Sequence, residues 1–170
     1  MLTNGGFENE AGWYLPITVY KAGYDSSLVT HDVTAIYTIE EAHTGSRSVR
    51  TGVVDPAHNV YSYSSAWQQV TLPASASKAT LRFWLYQKSN GPVEGSGGDV
   101  QLMLILNSNK KEIERPVMER SDGRSWKLYE FDLKKYAGQT IWIYFGVYNN
   151  GYGSNMAMYV DDVSLETCNP

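Results

Sequence analysis

Apolar and polar positions alternate with a period of two along three segments of the chain, the repeat expected of half-buried β-strands. From Ala79 to Gln87, Leu81, Phe83 and Leu85 point one way, and Arg82, Trp84 and Tyr86 the other. From Thr140 to Tyr148, Ile141, Ile143, Phe145 and Val147 oppose Trp142, Tyr144, Gly146 and Tyr148. The aliphatic set is the core face in both. In Val100 to Asn107, Val100, Leu102, Leu104 and Leu106 oppose Gln101, Met103, Ile105 and Asn107. Both sides of that segment are largely apolar, so it reads as an interior strand.

Weaker alternation predicts strands at Ser65 to Leu72, Trp126 to Asp132 and Met156 to Glu166, and near Arg47 to Val53. Turn chemistry separates them: Asp55-Pro56, Pro73-Ala74, Gly95-Ser96-Gly97-Gly98, Asp122-Gly123 and Asn149-Asn150-Gly151. Only Leu133 to Ala137 has room for a helical turn. Strands this frequent predict an all-β sandwich of two packed antiparallel sheets, with the first and last strands side by side. Tyr14 to Thr38 breaks the pattern: it is weakly periodic, rich in Tyr, Thr and Asp, and reads as a strand-and-loop excursion over the sandwich. No repeat, low-complexity tract or linker divides residues 1–170, which are expected to form one domain.

Composition agrees, since thirteen Tyr, five Trp and fifteen Gly favour short strands and tight turns. A net charge of -4 and a pI near 5.3, with scattered basic residues, argue against nucleic-acid binding. Lys110-Lys111, after Asn107-Ser108-Asn109, reads as a solvated hairpin tip. No apolar run approaches the roughly 20 residues of a membrane helix, and Met1-Leu2-Thr3-Asn4 lacks the features of a signal peptide. A single cysteine, Cys168, leaves no internal disulfide, so stability rests on packing or a metal.

An ordered set of tags runs through the chain: Asn4-Gly5-Gly6-Phe7-Glu8 followed by Trp13, then Ala42-His43-Thr44-Gly45-Ser46-Arg47-Ser48, and finally Met158-Tyr159-Val160-Asp161-Asp162-Val163-Ser164-Leu165. Gln68-Gln69-Val70-Thr71-Leu72-Pro73, Leu81-Arg82-Phe83-Trp84 and Phe131-Asp132-Leu133 to Thr140 fall between them in the expected order. Together they resemble the galactose-binding-like jelly-roll modules, including the carbohydrate-binding modules appended to exported bacterial glycoside hydrolases. The resemblance covers most of the chain but leaves Tyr14 to Thr38 and Asn90 to Gly98 unmatched. It implies a non-catalytic carbohydrate-binding module of an exported, extracellular or cell-surface bacterial protein, with a glycan and the other domains of a longer parent chain as partners. It further implies a structural calcium ion held by Glu8, Glu10 and Asp161 with backbone carbonyls near Arg47. Carboxylates with backbone carbonyls suit calcium. The competing reading leaves Glu8 and Glu10 on the surface and Asp161-Asp162 in a solvated edge bulge.

With the three best strands set side by side, the non-core face carries Arg82, Trp84, Tyr86, Gln101, Met103, Trp142, Tyr144 and Tyr148, with Tyr61, Tyr63 and Trp67 at its rim. Flat rings with interspersed polar groups match the C–H face and hydroxyl rim of a sugar. Trp84, Tyr86, Gln101, Trp142, Tyr144 and Tyr148 are therefore the expected ligand-binding residues. The same rings could instead be roofed by the excursion, and then a structural or adhesive protein-interaction module is the alternative. A hydrolase is disfavoured: that face has no carboxylate in mid-strand, and Glu130, Asp132 and Asp99 read as surface or loop residues. His31, His43 and His58 lack zinc-ligand spacing.

Overall fold

The computed structural model describes residues 1–18, 33–93 and 98–168. Among the described residues nine strands follow one another: β1 (Ile36–Thr38), β2 (Ser48–Gly52), β3 (Tyr61–Thr71), β4 (Lys78–Ser89), β5 (Val100–Asn107), β6 (Glu112–Glu119), β7 (Trp126–Asp132), β8 (Thr140–Asn150) and β9 (Met156–Cys168). They form a five-stranded sheet, β1-β2-β9-β4-β7, and a four-stranded sheet, β3-β8-β5-β6. Every pairing is antiparallel. The predicted helical turn is a 3-10 turn at Lys134–Tyr136, and another spans Pro56–His58. The Asn107 to Lys111 stretch is the β5–β6 hairpin tip, as expected. The chain is a jelly-roll β-sandwich.

The core lies between the sheets, where the inward sets interdigitate. Leu81, Phe83 and Leu85 from β4 meet Ile141, Ile143, Phe145 and Val147 from β8. Burying each such side chain stabilises the fold by about 1.5–3 kcal/mol. Phe7, Trp13, Phe145 and Phe83 form a chain of ring contacts with centroids 5.0, 5.9 and 4.9 Å apart. The N-terminal tag thereby becomes part of the core. Val163 N–H on β9 donates to the Gly5 carbonyl at 2.9 Å, so the two ends of the chain lie together. A Cβ on Gly5 would sit 1.7 Å from the Val163 oxygen, which is why no larger residue fits.

The sequence reading needs two corrections. β4 does not lie beside β5 and β8: it pairs with β9 and β7 in the opposite sheet. Alternation tells which side chains face inward, but not which sheet a strand joins. β5 is also inverted, because Met103 and Ile105 pair with the inward Phe145 and Ile143, whereas Leu104 and Leu106 pair with the outward Tyr144 and Trp142. Gln101 therefore points into the sandwich, fully buried. β6 escaped the sequence reading because only Val117 of its eight residues is buried. Its Pro116 is tolerated on an edge strand, where an unpaired N–H is not missed.

Most of the predicted excursion, residues 19–32 with His31, and residues 94–97 of the 90–98 loop lie outside the described residues. The described start of the excursion runs along the free edge of β3. There Tyr14 exchanges backbone hydrogen bonds of 2.8 and 2.9 Å with Trp67, and the Thr18 hydroxyl donates to the Tyr63 carbonyl at 3.2 Å.

Candidate functional site

The outer face of the four-stranded sheet is paved with aromatic rings supplied by strand register. β3 and β8 pair Tyr63 with Tyr148, Trp67 with Tyr144, and Gln69 with Trp142, all on that face. β5 contributes Val100, Leu102, Leu104 and Leu106 as an apolar floor beside them. The rings form two stations. At one, Trp67 lies 5.2 Å from Tyr144 and 6.1 Å from Trp142 between centroids, and Tyr14 meets Trp67 edge-on at 6.0 Å. At the other, Tyr148 lies 4.7 Å from Tyr63 and 5.5 Å from Tyr61. Tyr63 and Trp67, four positions apart on one strand, set the stations about 13 Å apart. Tyr61, Tyr63 and Tyr14 are 43, 50 and 53% exposed, so the excursion's described part leaves this face open.

The rings are held from below and from the side. Trp67 Nε1 donates to Ser65 Oγ at 2.7 Å. Tyr144 folds its ring back over Gly146, where a Cβ would come within 2.6 Å of it. Burial raises the Tyr144 phenol above its ordinary pKa, so it stays neutral. Trp142 Nε1 is buried without an acceptor among the described residues, a donor left for a partner.

The hairpin tip aims a cation at this station. Lys110 holds φ at +62°, a left-handed conformation that costs a lysine about 1–2 kcal/mol. The turn is fixed by Asn107, whose Oδ1 accepts from the N–H groups of Asn109 and Lys111 at 2.9 and 3.0 Å. Lys110 Nζ sits 5.2 Å from the Trp67 and Trp142 centroids and 5.7 Å from that of Tyr14. Beside it, Trp67, Trp142, Tyr14, Gln69 and Thr3 line an open cavity of about 390 Å³.

Of the residues expected to bind a ligand, Trp142, Tyr144 and Tyr148 come together here. Trp84 and Tyr86 do not: they lie on the outside of the other sheet, across the core. Trp84 is covered there by His43, stacked on it at 3.9 Å and 18°, and Tyr86 contacts Trp126 and Tyr159. Gln101 bridges the two sheets. Its amide donates to the Ser121 and Ala157 carbonyls at 3.0 Å each, and its oxygen accepts from Ser121 N–H at 2.9 Å and Gln87 Nε2 at 3.1 Å. Tyr14 and Lys110 were missed as site residues, and Tyr61, Tyr63 and Trp67 were placed only at the rim. The signal was the outward series Tyr61, Tyr63, Ser65, Trp67, Gln69, which only the β3–β8 pairing turns into part of one floor.

The residues named for calcium bracket the 43–47 turn. Glu8 accepts from the Ser46 and Arg47 N–H groups at 2.9 and 3.0 Å and from the Ser46 hydroxyl at 2.8 Å; these donors lower its pKa. Glu10 pairs with the Arg47 guanidinium at 3.2 Å. Asp161, fully buried beside a bulge in the central strand β9, accepts from His43 N–H at 2.7 Å, Thr44 N–H at 3.2 Å and Asp162 N–H at 2.7 Å. The turn presents N–H donors to both Glu8 and Asp161, the reverse of the carbonyl-lined shell that calcium takes, so the residues as placed do not fit a calcium cage. Among the described residues no three Asp, Glu, His or Cys side chains converge.

The carboxylates considered for catalysis have other occupations. Glu130 and Glu166 grip Arg82 at 2.6 and 2.7 Å, and Asp132 accepts from Lys134 N–H at 2.8 Å. Asp99 lies in the loop before β5, as expected, but is buried there. It accepts from Asn150 N–H at 2.7 Å, and burial raises its pKa.

A profile of the MAM domain (meprin/A5/mu) matches residues 40–169. The chain belongs to the MAM domain family. Curated protein sequences give no significant match to it. Among solved structures, this MAM domain is similar to the module TmCBM61, solved in complex with β-1,4-galactotriose, at TM-score 0.60 and 18% identity over 98% of this chain and 97% of the other. It is similar to a family 16 carbohydrate-binding module at TM-score 0.52 and 19% identity over 97% and 98%. The adhesin domain of Lys-gingipain from Porphyromonas gingivalis W83 superposes at TM-score 0.52 and 14% identity over 96% of each chain. At these identities the likeness is one of fold.

Proposed function

We propose that this MAM domain is a non-catalytic carbohydrate-binding module of an exported protein, which engages a polysaccharide on the outer face of its four-stranded sheet. The carrying observation is the paved face: half-buried rings in two stations on an apolar floor, with an open cavity at one end. Rings fixed edge-to-edge by register cost little entropy to order, and their flat faces suit the C–H side of a pyranose. The likeness in fold to sugar-binding modules supports the reading.

Affinity electrophoresis against a panel of soluble polysaccharides tests it. At least one polymer is expected to retard the wild type, and Trp142→Ala is expected to remove that retardation while remaining folded. Migration unchanged by every polymer would overturn the proposal. The likeness to an adhesin domain favours a second reading, a protein-interaction module whose exposed tyrosines meet another protein, and that reading predicts such uniform failure. The sugar reading needs no metal. Calcium at Glu8, Glu10, Arg47 and Asp161 stands or falls on the titration of Asp161 described below.

A further inference from the structure

Resting on that reading of the face, we infer that the sugar bound at the Trp67–Trp142 station carries a carboxylate: the ligand is a uronate-containing glycan rather than a neutral one. Three independent features of the station point the same way. Lys110 is held over the rings by a turn that Asn107 locks, in a left-handed conformation that a lysine adopts at a cost. Its ammonium has three ring faces for neighbours and no carboxylate partner among the described residues. Strained residues held in place by their surroundings are markers of binding sites. Trp142 Nε1 is the second feature, an N–H buried without an acceptor among the described residues, on a ring that the same cation covers.

The third is the charge around the station. The nearest acid along the chain, Glu112, is tied to Arg115 by two hydrogen bonds of 2.9 and 3.0 Å, and so leaves little negative field. Lys111, exposed on the same tip, has no ion-pair partner among the described residues. The carboxylate Glu114 on the same hairpin is engaged elsewhere, by Lys135 and the Tyr136 hydroxyl at 2.7 Å each. The station therefore offers ring faces, an ammonium and a spare indole N–H. It supplies donors and wants acceptors. A uronic acid presents a C–H face to the rings and a carboxylate to the donors, and charge-assisted hydrogen bonds of this kind are about twice as strong as neutral ones. Against a protein of net charge -4, such a ligand needs a local cation to approach.

Titration calorimetry with matched pairs of equal length tests the inference: β-1,4-glucuronan oligosaccharides against cello-oligosaccharides, and β-1,4-mannuronan oligosaccharides against β-1,4-manno-oligosaccharides. The acidic member of at least one pair is expected to bind about tenfold or more tightly than its neutral partner, with an advantage that shrinks as salt is raised. Lys110→Met should erase that preference and Lys110→Arg should keep it, with unchanged thermal unfolding in both. If in every pair that binds the neutral oligosaccharide binds as tightly as its acidic partner, or Lys110→Met keeps the preference, the inference is wrong while the sugar site stands. If no member of any pair binds, the inference falls, and the sugar site is decided by the polysaccharide panel. If Lys110→Met tightens neutral binding, the lysine is a plug over the rings and the inference also fails.

Discussion

At the residue scale, local geometry sets both the aromatic face and the contacts of the 43–47 turn. Tyr144 is laid flat because Gly146, two positions on, gives its ring room. Gly146→Ala would push the ring outward into open space rather than into packed core, so the substitution should cost less than about 1 kcal/mol in urea unfolding. The same change should weaken glycan binding about tenfold, because it misplaces a ring of the floor. Asp161 carries a linkage prediction. Burial, ahead of the hydrogen bonds that oppose it, raises its folded pKa to about 6 from 3.8. A raised folded value means that the proton favours the fold: this contribution is complete below about pH 4 and is lost as pH rises through about 6. Asp99, also raised by burial, acts in the same direction, whereas Glu8, lowered by its donors, gives support that is lost as the solution turns acid. Carboxyl-carbon NMR titrations, one in a chelator and one with calcium in excess, should therefore both place the Asp161 midpoint near 6. Bound calcium would hold the carboxylate ionised and move the midpoint below 3.8, and a midpoint there would restore the calcium site.

At the scale of elements, β5 carries the lesson. Its sequence is apolar on both sides, so either face could have been the inner one, and the longer aliphatic series was the natural choice. Pairing with β8 decided otherwise, because inward residues can oppose only inward residues across a ladder. Gln101 went with the inner set and became a tie between β5, β4 and β9, through Gln87 and the Ala157 carbonyl. Gln101→Ala leaves the Ser121 N–H and the Ala157 carbonyl without those partners inside the sandwich, and should cost about 2–4 kcal/mol in urea unfolding. A loss below about 0.5 kcal/mol would mean that Gln101 is not the tie described.

For the whole molecule, the two sheets make two separate aromatic faces. The Trp84 face is capped by His43, whose ring also reaches Asp162 at 2.6 Å, so that cluster fastens the 43–47 turn to the sheet. Trp84→Ala should therefore destabilise the fold by about 1–3 kcal/mol and leave glycan affinity unchanged, whereas Trp142→Ala should remove binding. Combined, their stability effects should add within about 0.5 kcal/mol, since the two sites share no partner. The sequence by itself determined most of the strands, the inward sets of β4 and β8 and the all-β class, because alternation and turn residues act over a few neighbours and Leu81 or Ile143 has nowhere else to go. The three-dimensional structure decided which strands share a sheet, which side of β5 is inside, that Tyr14 and Lys110 reach the rings of β3 and β8, and that Glu8 and Asp161 face N–H groups. Those choices depend on partners 30 to 120 positions away, such as His43 and Asp161 or Lys110 and Trp67, and a period of two carries no record of them.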